Sequence, residues 1–238
     1  MTPIIYVDKC ESTNSDIEKF IIQNQSDFLT LYTFHQTQGK GQYGNSWETA
    51  ENINLAFTIS VSEHLIKLGN VLFNFHTAAL VADFFANLTN EHVHIKWPND
   101  IIIRGKKIAG LLLEKKKIGG QFYFVIGIGV NVLQENFQGL PKAGSLWTQT
   151  KQKFDLHQIA NELHDFLVAK LTVPISEDVI WNNLNENLFR KDLISVFELD
   201  GVRQNGIIRK VQENGLLCVE FENEILQNFN HKEIELLY

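Results

Sequence analysis

Residues 36–47 read Gln-Thr-Gln-Gly-Lys-Gly-Gln-Tyr-Gly-Asn-Ser-Trp, and they lie between two apolar, strand-like segments at 28–35 and 53–61. Glycine permits close approach of the backbone to a ligand, and successive free N–H groups in such a segment can form an anion-binding concavity. Lys40 adds a positive charge between the first two glycines. Because ordering a long glycine-rich loop costs conformational entropy, such loops more often bind ligands than simply connect strands. The stretch predicts a ligand-binding loop, with a flexible hairpin connection as the alternative.

The whole chain has the composition of a globular protein. It contains 238 residues, of which 44% are hydrophobic and 21% charged, and its net charge is −7. An acidic balance argues against a general nucleic-acid binder, which would carry a basic face. The two cysteines, Cys10 and Cys218, are too few and too far apart for a disulfide framework or a metal cluster. No leader pattern and no bilayer-length apolar run stand out, so we expect a reduced, cytoplasmic protein that binds no membrane.

The pattern of elements changes near residue 189. Before it, strand-like segments alternate with segments of helical periodicity, such as 70–88 and 156–171. After it, five short strand-like segments follow within some fifty residues, separated by Asp-Gly and Asn-Gly turns, and this pattern is typical of a small antiparallel barrel. We therefore predict a larger domain at 1–188 and a smaller one at 189–238.

Several polar residues stand at the ends of predicted elements. Residues 12–14 (Ser-Thr-Asn) precede a helix, where they would serve either as N-caps or as donors and acceptors at a site. Lys96 and Lys107 place positive charges at strand ends, and Asp100 and Asn131 offer oxygen ligands and an amide. Such a set suits the binding of anionic groups, phosphates above all. A GxxxxGK[ST] segment is absent, and the glycine loop leads into a strand rather than a helix, which argues against P-loop and dinucleotide-binding sites.

Five segments in order carry a family resemblance. They are Ser12-Thr13-Asn14, the 36–47 loop, Lys96-Trp97-Pro98-Asn99-Asp100, Lys107-Ile108-Ala109-Gly110 with the following Leu-Leu-Leu-Glu, and Gly127-Ile128-Gly129-Val130-Asn131. Together they resemble the motif set of biotin protein ligases (biotin–[acetyl-CoA-carboxylase] ligases), and the resemblance extends from about residue 5 to the end. It implies an α/β (α+β) fold: a mixed sheet with packed helices, similar to class II aminoacyl-tRNA synthetases, plus a small SH3-like C-terminal β-barrel.

The resemblance also implies an activity. The biotin carboxylate would attack the α-phosphate of ATP, supplied with Mg²⁺, and a lysine of a biotin carboxyl carrier protein would then take biotin from biotinyl-5′-AMP. Residues 1–188 would bind biotin and ATP. Because Ser12 comes early, we expect the monofunctional form, without a DNA-binding helix-turn-helix or a nucleic-acid partner, as a monomer or homodimer.

The resemblance assigns roles by position. The catalytic residues would be Lys107, Lys40 and Asp100; no protein metal ligand is assigned. Lys96 and Asn131 would bind ATP. Biotin or biotinyl-AMP would contact a larger set: Ser12, Thr13, Asn14, Gln36, Gly39, Lys40, Gly41, Gln42, Trp47, Lys107, Gly110, Gly127 and Gly129. Trp47 is a candidate lid residue, or else an aromatic residue of the strand edge.

The loop departs from the family pattern. Where the family has Gly-Arg-Gly-Arg-x-Gly, this chain has Lys40 and Gln42 at the arginine positions. Lysine lacks arginine's planar fork and glutamine lacks charge, so we expect weaker retention of biotinyl-AMP. Two alternatives remain open: a lipoate–protein ligase or octanoyltransferase of the same fold, and a protein that binds biotin or adenylate without catalysis.

Overall fold

The computed structural model describes residues 2–48, 50–222 and 224–238, and only the backbone of Tyr43. The elements of the larger part are β1 (Ile4–Tyr6), α1 (Thr13–Asn24), β2 (Phe28–Thr33), β3 (Asn54–Ser62), α2 (Asn70–Thr89), β4 (Val93–Lys96), β5 (Asp100–Ile103), β6 (Lys106–Ile118), β7 (Gln121–Asn131), α3 (Leu146–Thr150), α4 (Leu156–Lys170) and α5 (Glu177–Glu186). The C-terminal part has β8 (Ile194–Leu199), β9 (Val202–Val211), β10 (Leu217–Phe221), β11 (Leu226–Phe229) and β12 (Glu235–Leu237).

The larger part is built on a seven-stranded sheet with the order β1-β2-β3-β7-β6-β5-β4. β1 pairs with β2 in parallel and the other pairings are antiparallel, so the sheet is mixed as predicted. On one face, Ile17 and Ile21 of α1 pack on Val125 and neighbouring apolar residues. The opposite face carries the larger core. Each face of the sheet thus buries its own apolar set, as a layered α/β fold requires.

Beyond the N-terminus of α1, the residues on the face of the sheet that packs against this helix become small. Along β7, Tyr123 and Val125 lie under the helix, but the next positions on that face are Gly127 and Gly129. The facing residues on β3 are small as well: Thr58 is paired with Gly127 and Ala56 with Gly129. Small residues on adjacent strands leave an open platform beside the helix, because successive residues on one face are two apart. The candidate site lies on this platform.

The C-terminal part is a five-stranded antiparallel sheet with the order β11-β10-β9-β8-β12. The five predicted short strands are therefore confirmed. The apolar side chains of this sheet, Phe197 and Val219 among them, belong to the same continuous core as the larger sheet. Contacts also cross position 188: the Phe189 N–H donates to the Ile95 carbonyl at 2.9 Å. The division into 1–188 and 189–238 stays a prediction.

Two features of the fold bear on the local sequence. Lys115, Lys116 and Lys117 continue β6 and do not form a turn. The strand extends because β7 pairs with it as far as Ile118. α2 is long and apolar enough to span a membrane by length and composition, but 67% of that stretch is buried inside the fold. It is therefore accounted for as a core helix.

Candidate active site

One end of the site is a buried polar corner at the start of α1. The Gln36 side-chain oxygen accepts hydrogen bonds from the Thr13 backbone N–H (2.8 Å) and from the Thr13 hydroxyl (3.2 Å). Thr58 on β3 adds its hydroxyl, which lies 2.8 Å from Thr13 Oγ1 and 2.7 Å from Asn14 Oδ1. Ser12, Thr13, Asn14 and Gln36 are all buried. These contacts create a set of oriented donors and acceptors inside the fold.

The two interpretations of residues 12–14 can now be separated. Ser12 has the extended backbone of an N-cap, but its hydroxyl makes no capping bond. The Asn14 carboxamide instead bonds β6, donating to Glu114 Oε2 at 3.0 Å and to the Leu112 carbonyl at 3.3 Å. The side chains of this corner are therefore directed at the sheet and the cavity rather than at the helix terminus.

The 36–47 loop folds into a small hairpin of its own. The Trp47 N–H donates to the Gly39 carbonyl (2.9 Å), and the Gly41 N–H donates to the Asn45 carbonyl (2.7 Å). Lys40 reaches back to α1, where its Nζ donates to the Ser15 hydroxyl (2.8 Å). The loop is thus connected to α1 and forms part of the cavity wall.

We call the open surface formed by Gly110, Gly127 and Gly129 the glycine platform, and Trp47 lies on it. A Cβ on Gly129 would overlap with the Trp47 indole, and one on Gly110 would lie 3.1 Å from Cζ3 of the same ring. Lys107 Nζ is 5.3 Å from the ring centroid, within the range of a cation–π interaction. Trp47 Nε1 is buried without a hydrogen-bond partner in the described structure. The two glycines therefore make room for a large aromatic residue beside the lysine.

The other end of the site is an ionic cluster. Lys107 Nζ lies 2.6 Å from Asp100 Oδ1, and Lys96 Nζ lies 3.7 Å from Asp100 Oδ2. The pairing register between β5 and β6 shifts between Ile101 and Ile102. Such a bulge re-aims side chains, and here it accompanies a Lys107 side chain that reaches both Asp100 and Gly110. Two cations thus converge on one carboxylate at the rim of the platform.

Residues of the C-terminal part complete this end. Burial lowers the pKa of Lys96, an effect that Asp100 opposes and that Lys107 and Lys142 reinforce. The ring of Tyr238 lies 5.9 Å from Lys96 Nζ, and burial, with the Asp100 charge, raises the pKa of its phenol. Lys142 Nζ joins Glu235 at 3.2 Å. The C-terminal sheet therefore contributes directly to the electrostatics of the site.

Both ends open into one cavity of about 490 Å³. Most of the predicted site residues line it: Ser12, Thr13, Asn14, Gln36, Lys40, Gly41, Gln42, Trp47, Lys96, Asp100, Lys107, Gly110, Gly127 and Gly129. Two predicted residues are not part of the lining. Gly39 lies at the base of the loop hairpin, and Asn131 donates to the Gly144 carbonyl (3.0 Å). The individual roles assigned to all these residues stay predictions.

Sequence reasoning missed two groups of residues. Thr58, Glu114 and Lys116 meet Asn14 from β3 and β6. Glu114 ends the fourth family segment, but no role was assigned to it, and no motif marked Thr58 or Lys116. The second group lines the cavity from the C-terminal part and includes His231, Glu235 and Leu236. No motif marked these residues, because their position depends on how the second sheet packs on the first.

The chemistry of the site is that of charge and hydrogen bonding. Cys10 is not an activated nucleophile, because burial raises the pKa of its thiol to about 12. Within the described residues, His, Cys, Asp and Glu form no group of three that could hold a metal ion. The cavity offers a neutral polar corner at one end and lysines at the other. It suits a ligand with a hydrogen-bonding head and an anionic tail.

Comparison with known proteins identifies the family. A model of the biotin/lipoate A/B protein ligase family matches residues 6–131, which is more than half of the chain. The chain belongs to this ligase family. The resemblance seen in the five sequence segments is thereby confirmed.

Two relatives of this chain are also named as ligases. The biotin–[acetyl-CoA-carboxylase] ligase of Mycobacterium tuberculosis is 28% identical over 225 residues, covering 88% of this chain and 80% of that protein. The bifunctional ligase/repressor BirA of Bacillus subtilis is 27% identical over 133 residues, covering 56% of this chain and 41% of that protein. The match to BirA therefore spans less than half of the bifunctional protein.

Solved structures support the fold of the ligase. Biotin protein ligase from Aquifex aeolicus, in complex with biotin and ATP, has a TM-score of 0.81 at 20% identity and covers 100% of this chain and 99% of that chain. The Leishmania major biotin protein ligase in complex with biotinyl-5-AMP has a TM-score of 0.65 at 20% identity, covering 96% and 98% of the two chains. The predicted fold class, including the SH3-like C-terminal part, is confirmed.

Proposed function

We propose that this protein is an ATP-dependent biotin–[acetyl-CoA-carboxylase] ligase. One observation carries the proposal: a single cavity joins the buried Ser12–Asn14 corner to the Lys107–Asp100 pair. Biotin has a neutral cyclic urea at one end and a carboxylate at the other, and it therefore matches both ends of the cavity. Family membership and the names of the relatives point to the same activity.

In the first step, the biotin carboxylate attacks the α-phosphorus of ATP, and pyrophosphate leaves. The reaction brings two anions together, so fixed cations must offset their repulsion. Lys107 would leave its pairing with Asp100 to bind the carboxylate and the α-phosphate, and Lys40 and Lys96 would add charge around the triphosphate. The polar corner would hold the urea and so fix the distance between the reacting atoms.

In the second step, the amine of the carrier lysine attacks the acyl carbon of biotinyl-5′-AMP, and AMP leaves. The amine must lose a proton to react, and Asp100, which lines this end of the cavity beside Lys107, would accept it. The 36–47 loop, with Trp47 on the glycine platform, would shield the mixed anhydride from water. The acceptor would be a biotin carboxyl carrier protein, and the transfer would take place in the cytoplasm.

Mg²⁺ would arrive with ATP rather than occupy a site made by the protein alone. Magnesium usually binds substrate phosphates, water and only one or two carboxylates. The described residues fit this mode, since they contain no group of three acidic, histidine or cysteine ligands. Asn131, which the motif set assigns to ATP, would help to hold the nucleotide and its magnesium. The ion would offset the charge of the triphosphate when bound.

The direct test is transfer of labelled biotin to a purified carrier domain with ATP and Mg²⁺. We expect ATP-dependent labelling of one lysine, with release of AMP and pyrophosphate. Labelled lipoate and octanoate, offered in parallel, test the alternative ligases of the same fold. Transfer of lipoate but not biotin would contradict the proposal, and binding of biotin without pyrophosphate release would indicate a non-catalytic protein.

A further inference from the structure

Glu114 contacts the polar corner from outside the cavity. It lies on β6, two residues beyond Leu112, and is not among the residues that line the cavity. Its Oε2 accepts a hydrogen bond from Asn14 Nδ2 at 3.0 Å and forms an ion pair with Lys116 Nζ at 3.1 Å. Lys116 also donates to the backbone carbonyl of Asn14 (2.8 Å). The pair therefore contacts Asn14 at both its side chain and its backbone.

The Glu114 carboxylate and the Leu112 carbonyl together decide which way the Asn14 carboxamide points. Asn14 Nδ2 faces two groups that only accept, Glu114 Oε2 and the Leu112 carbonyl. A flipped carboxamide would place its oxygen against both, leaving the carboxylate opposed by a carbonyl. The orientation with the nitrogen toward Glu114 is the only one that satisfies these partners, and it directs Asn14 Oδ1 at Thr58.

This orientation fixes the hydroxyl protons further along. Asn14 Oδ1 can only accept, so the Thr58 hydroxyl must donate its single proton to it across 2.7 Å. Thr58 then has no proton left for Thr13, so the single Thr13 proton is directed at Gln36 Oε1 (3.2 Å) or at Thr58 Oγ1 (2.8 Å). Thr13 Oγ1 is left with lone pairs and no proton for a ligand. Because Thr58 and Thr13 are buried, water cannot readily replace a misdirected bond.

We infer that Glu114 is a positioning residue for biotin recognition, acting through Asn14 and Thr58 on Thr13. The inference rests on the proposed function, because it specifies how the corner would recognise the cyclic urea. The urea has two N–H donors, and Glu114 sets Thr13 Oγ1 as an acceptor that suits such a donor. A ligand head without N–H groups, such as a dithiolane, would gain nothing from this arrangement.

The test is the affinity for biotin, measured by calorimetry on the full chain, with the affinity for ATP as the internal reference. Glu114→Leu removes the shorter and charged acceptor and leaves only the 3.3 Å contact with the Leu112 carbonyl, and we expect at least a tenfold rise in the Kd for biotin with an unchanged Kd for ATP. Glu114→Gln keeps an oxygen for Asn14, and we expect a rise of less than threefold. Glu63→Leu is the matched control. Glu63 pairs with Lys115, which neighbours Glu114 on β6, so this variant also removes a carboxylate that is paired with a lysine of β6, but one whose partner is Lys115 rather than Asn14.

An exchange of the two groups tests whether Glu114 acts through Asn14. Asn14→Asp sets two carboxylates against each other and should weaken biotin binding at least tenfold. Adding Glu114→Gln returns an amide donor to the pair, with the donor now at position 114, while the carboxylate introduced at position 14 still accepts from Thr58. We expect the double variant to bind biotin at least fivefold better than Asn14→Asp alone.

The results separate the two proposals. Wild-type protein that binds no biotin would contradict the proposed function itself. Biotin binding by the wild type, together with a double variant no better than Asn14→Asp, would overturn the role of Glu114 alone. Equal affinity of Glu114→Leu and Glu114→Gln would overturn it as well. If Glu114→Leu does not fold, the comparison of Asn14→Asp with the double variant still tests the role of Glu114.

Discussion

At the scale of single residues, the site depends on where charge is placed. Lys107 and Asp100 form a 2.6 Å ion pair at the rim of the glycine platform, with Lys96 on the other carboxylate oxygen. Such a pair keeps a cation in position without a bound ligand. An arriving carboxylate and phosphate can then exchange places with Asp100, so the charge needs little reorganisation.

The first prediction concerns Lys107→Ala. We expect at least a hundredfold loss in the rate of pyrophosphate release with biotin and ATP, because the cation that offsets two anions is gone. The size follows the ~10²–10³ effects of removing one group that stabilises a developing charge. Lys117→Ala, on the same strand but exposed and outside the cavity lining, is the control and should keep wild-type rates. A Lys107→Ala enzyme with normal pyrophosphate release would rule out the assigned role.

The second prediction concerns Gln42, which lines the cavity at one of the positions where family members have arginine. Gln42→Arg adds a planar fork that can bind phosphate in a bidentate manner. We expect slower dissociation of biotinyl-5′-AMP, by about threefold to tenfold, measured by chasing labelled intermediate from the enzyme. Gln38→Arg adds the same charge at an exposed loop position outside the lining and should leave the dissociation rate unchanged. No slowing in Gln42→Arg would show that loop charge does not limit retention.

At the scale of elements, the glycines of β6 and β7 decide what the sheet can hold. Gly127 leaves space for the Asn14 carboxamide, and Gly110 and Gly129 leave space for the Trp47 indole. The backbone of these strands stays regularly paired through the same positions. The glycines are therefore required for close approach rather than for an unusual backbone conformation.

The third prediction follows from that packing. Gly129→Ala would drive the Trp47 ring off the platform and disturb the hairpin that Trp47 closes with Gly39. We expect at least a tenfold loss of biotinyl-AMP formation, measured in single-turnover experiments, with a Tm close to that of the wild type. Gly69→Ala, where an added Cβ meets nothing within 4 Å, serves as the control. Normal single-turnover rates in Gly129→Ala would contradict the proposed place of Trp47.

At the scale of the whole molecule, the two sheets share one apolar core. The Asn185 carboxamide of α5 accepts from the Val211 N–H (2.7 Å) and donates to the Val211 carbonyl (3.2 Å). Trp97 Nε1 donates to the Gly215 carbonyl across the same boundary (3.0 Å). These contacts join the C-terminal sheet to the part that carries the five motifs, so the site includes both.

The fourth prediction is a single cooperative unfolding transition, because a shared core cannot be opened in one part alone. Asn185→Ala leaves the Val211 backbone groups without these partners, and we expect a loss of about 1–3 kcal/mol in unfolding free energy. Calorimetry and chemical denaturation measure both. Asn161→Ala removes a side chain that donates to the His157 carbonyl within α4, and it should change stability much less. Two separate transitions in the wild type would instead support independent domains at 1–188 and 189–238.

The sequence by itself determined the order of the elements, the change of pattern near 189 and the five segments that mark the family. These signals are local: periodicity, turn residues and short motifs are all read within a few positions. Most predicted site residues proved to line one cavity for the same reason, since the motifs occupy strand ends and a loop that the sheet brings together.

Only the tertiary structure decided how those residues are held. Asn14 meets Thr58 and Glu114, which are 44 and 100 positions away, and the pairing register of three strands sets those contacts. The register shift opposite Lys107, the Trp47 ring on Gly129 and the C-terminal residues at the ionic end have no local signal either. The physical reason is that register and packing are chosen by the burial of the whole core, and no short segment contains that information.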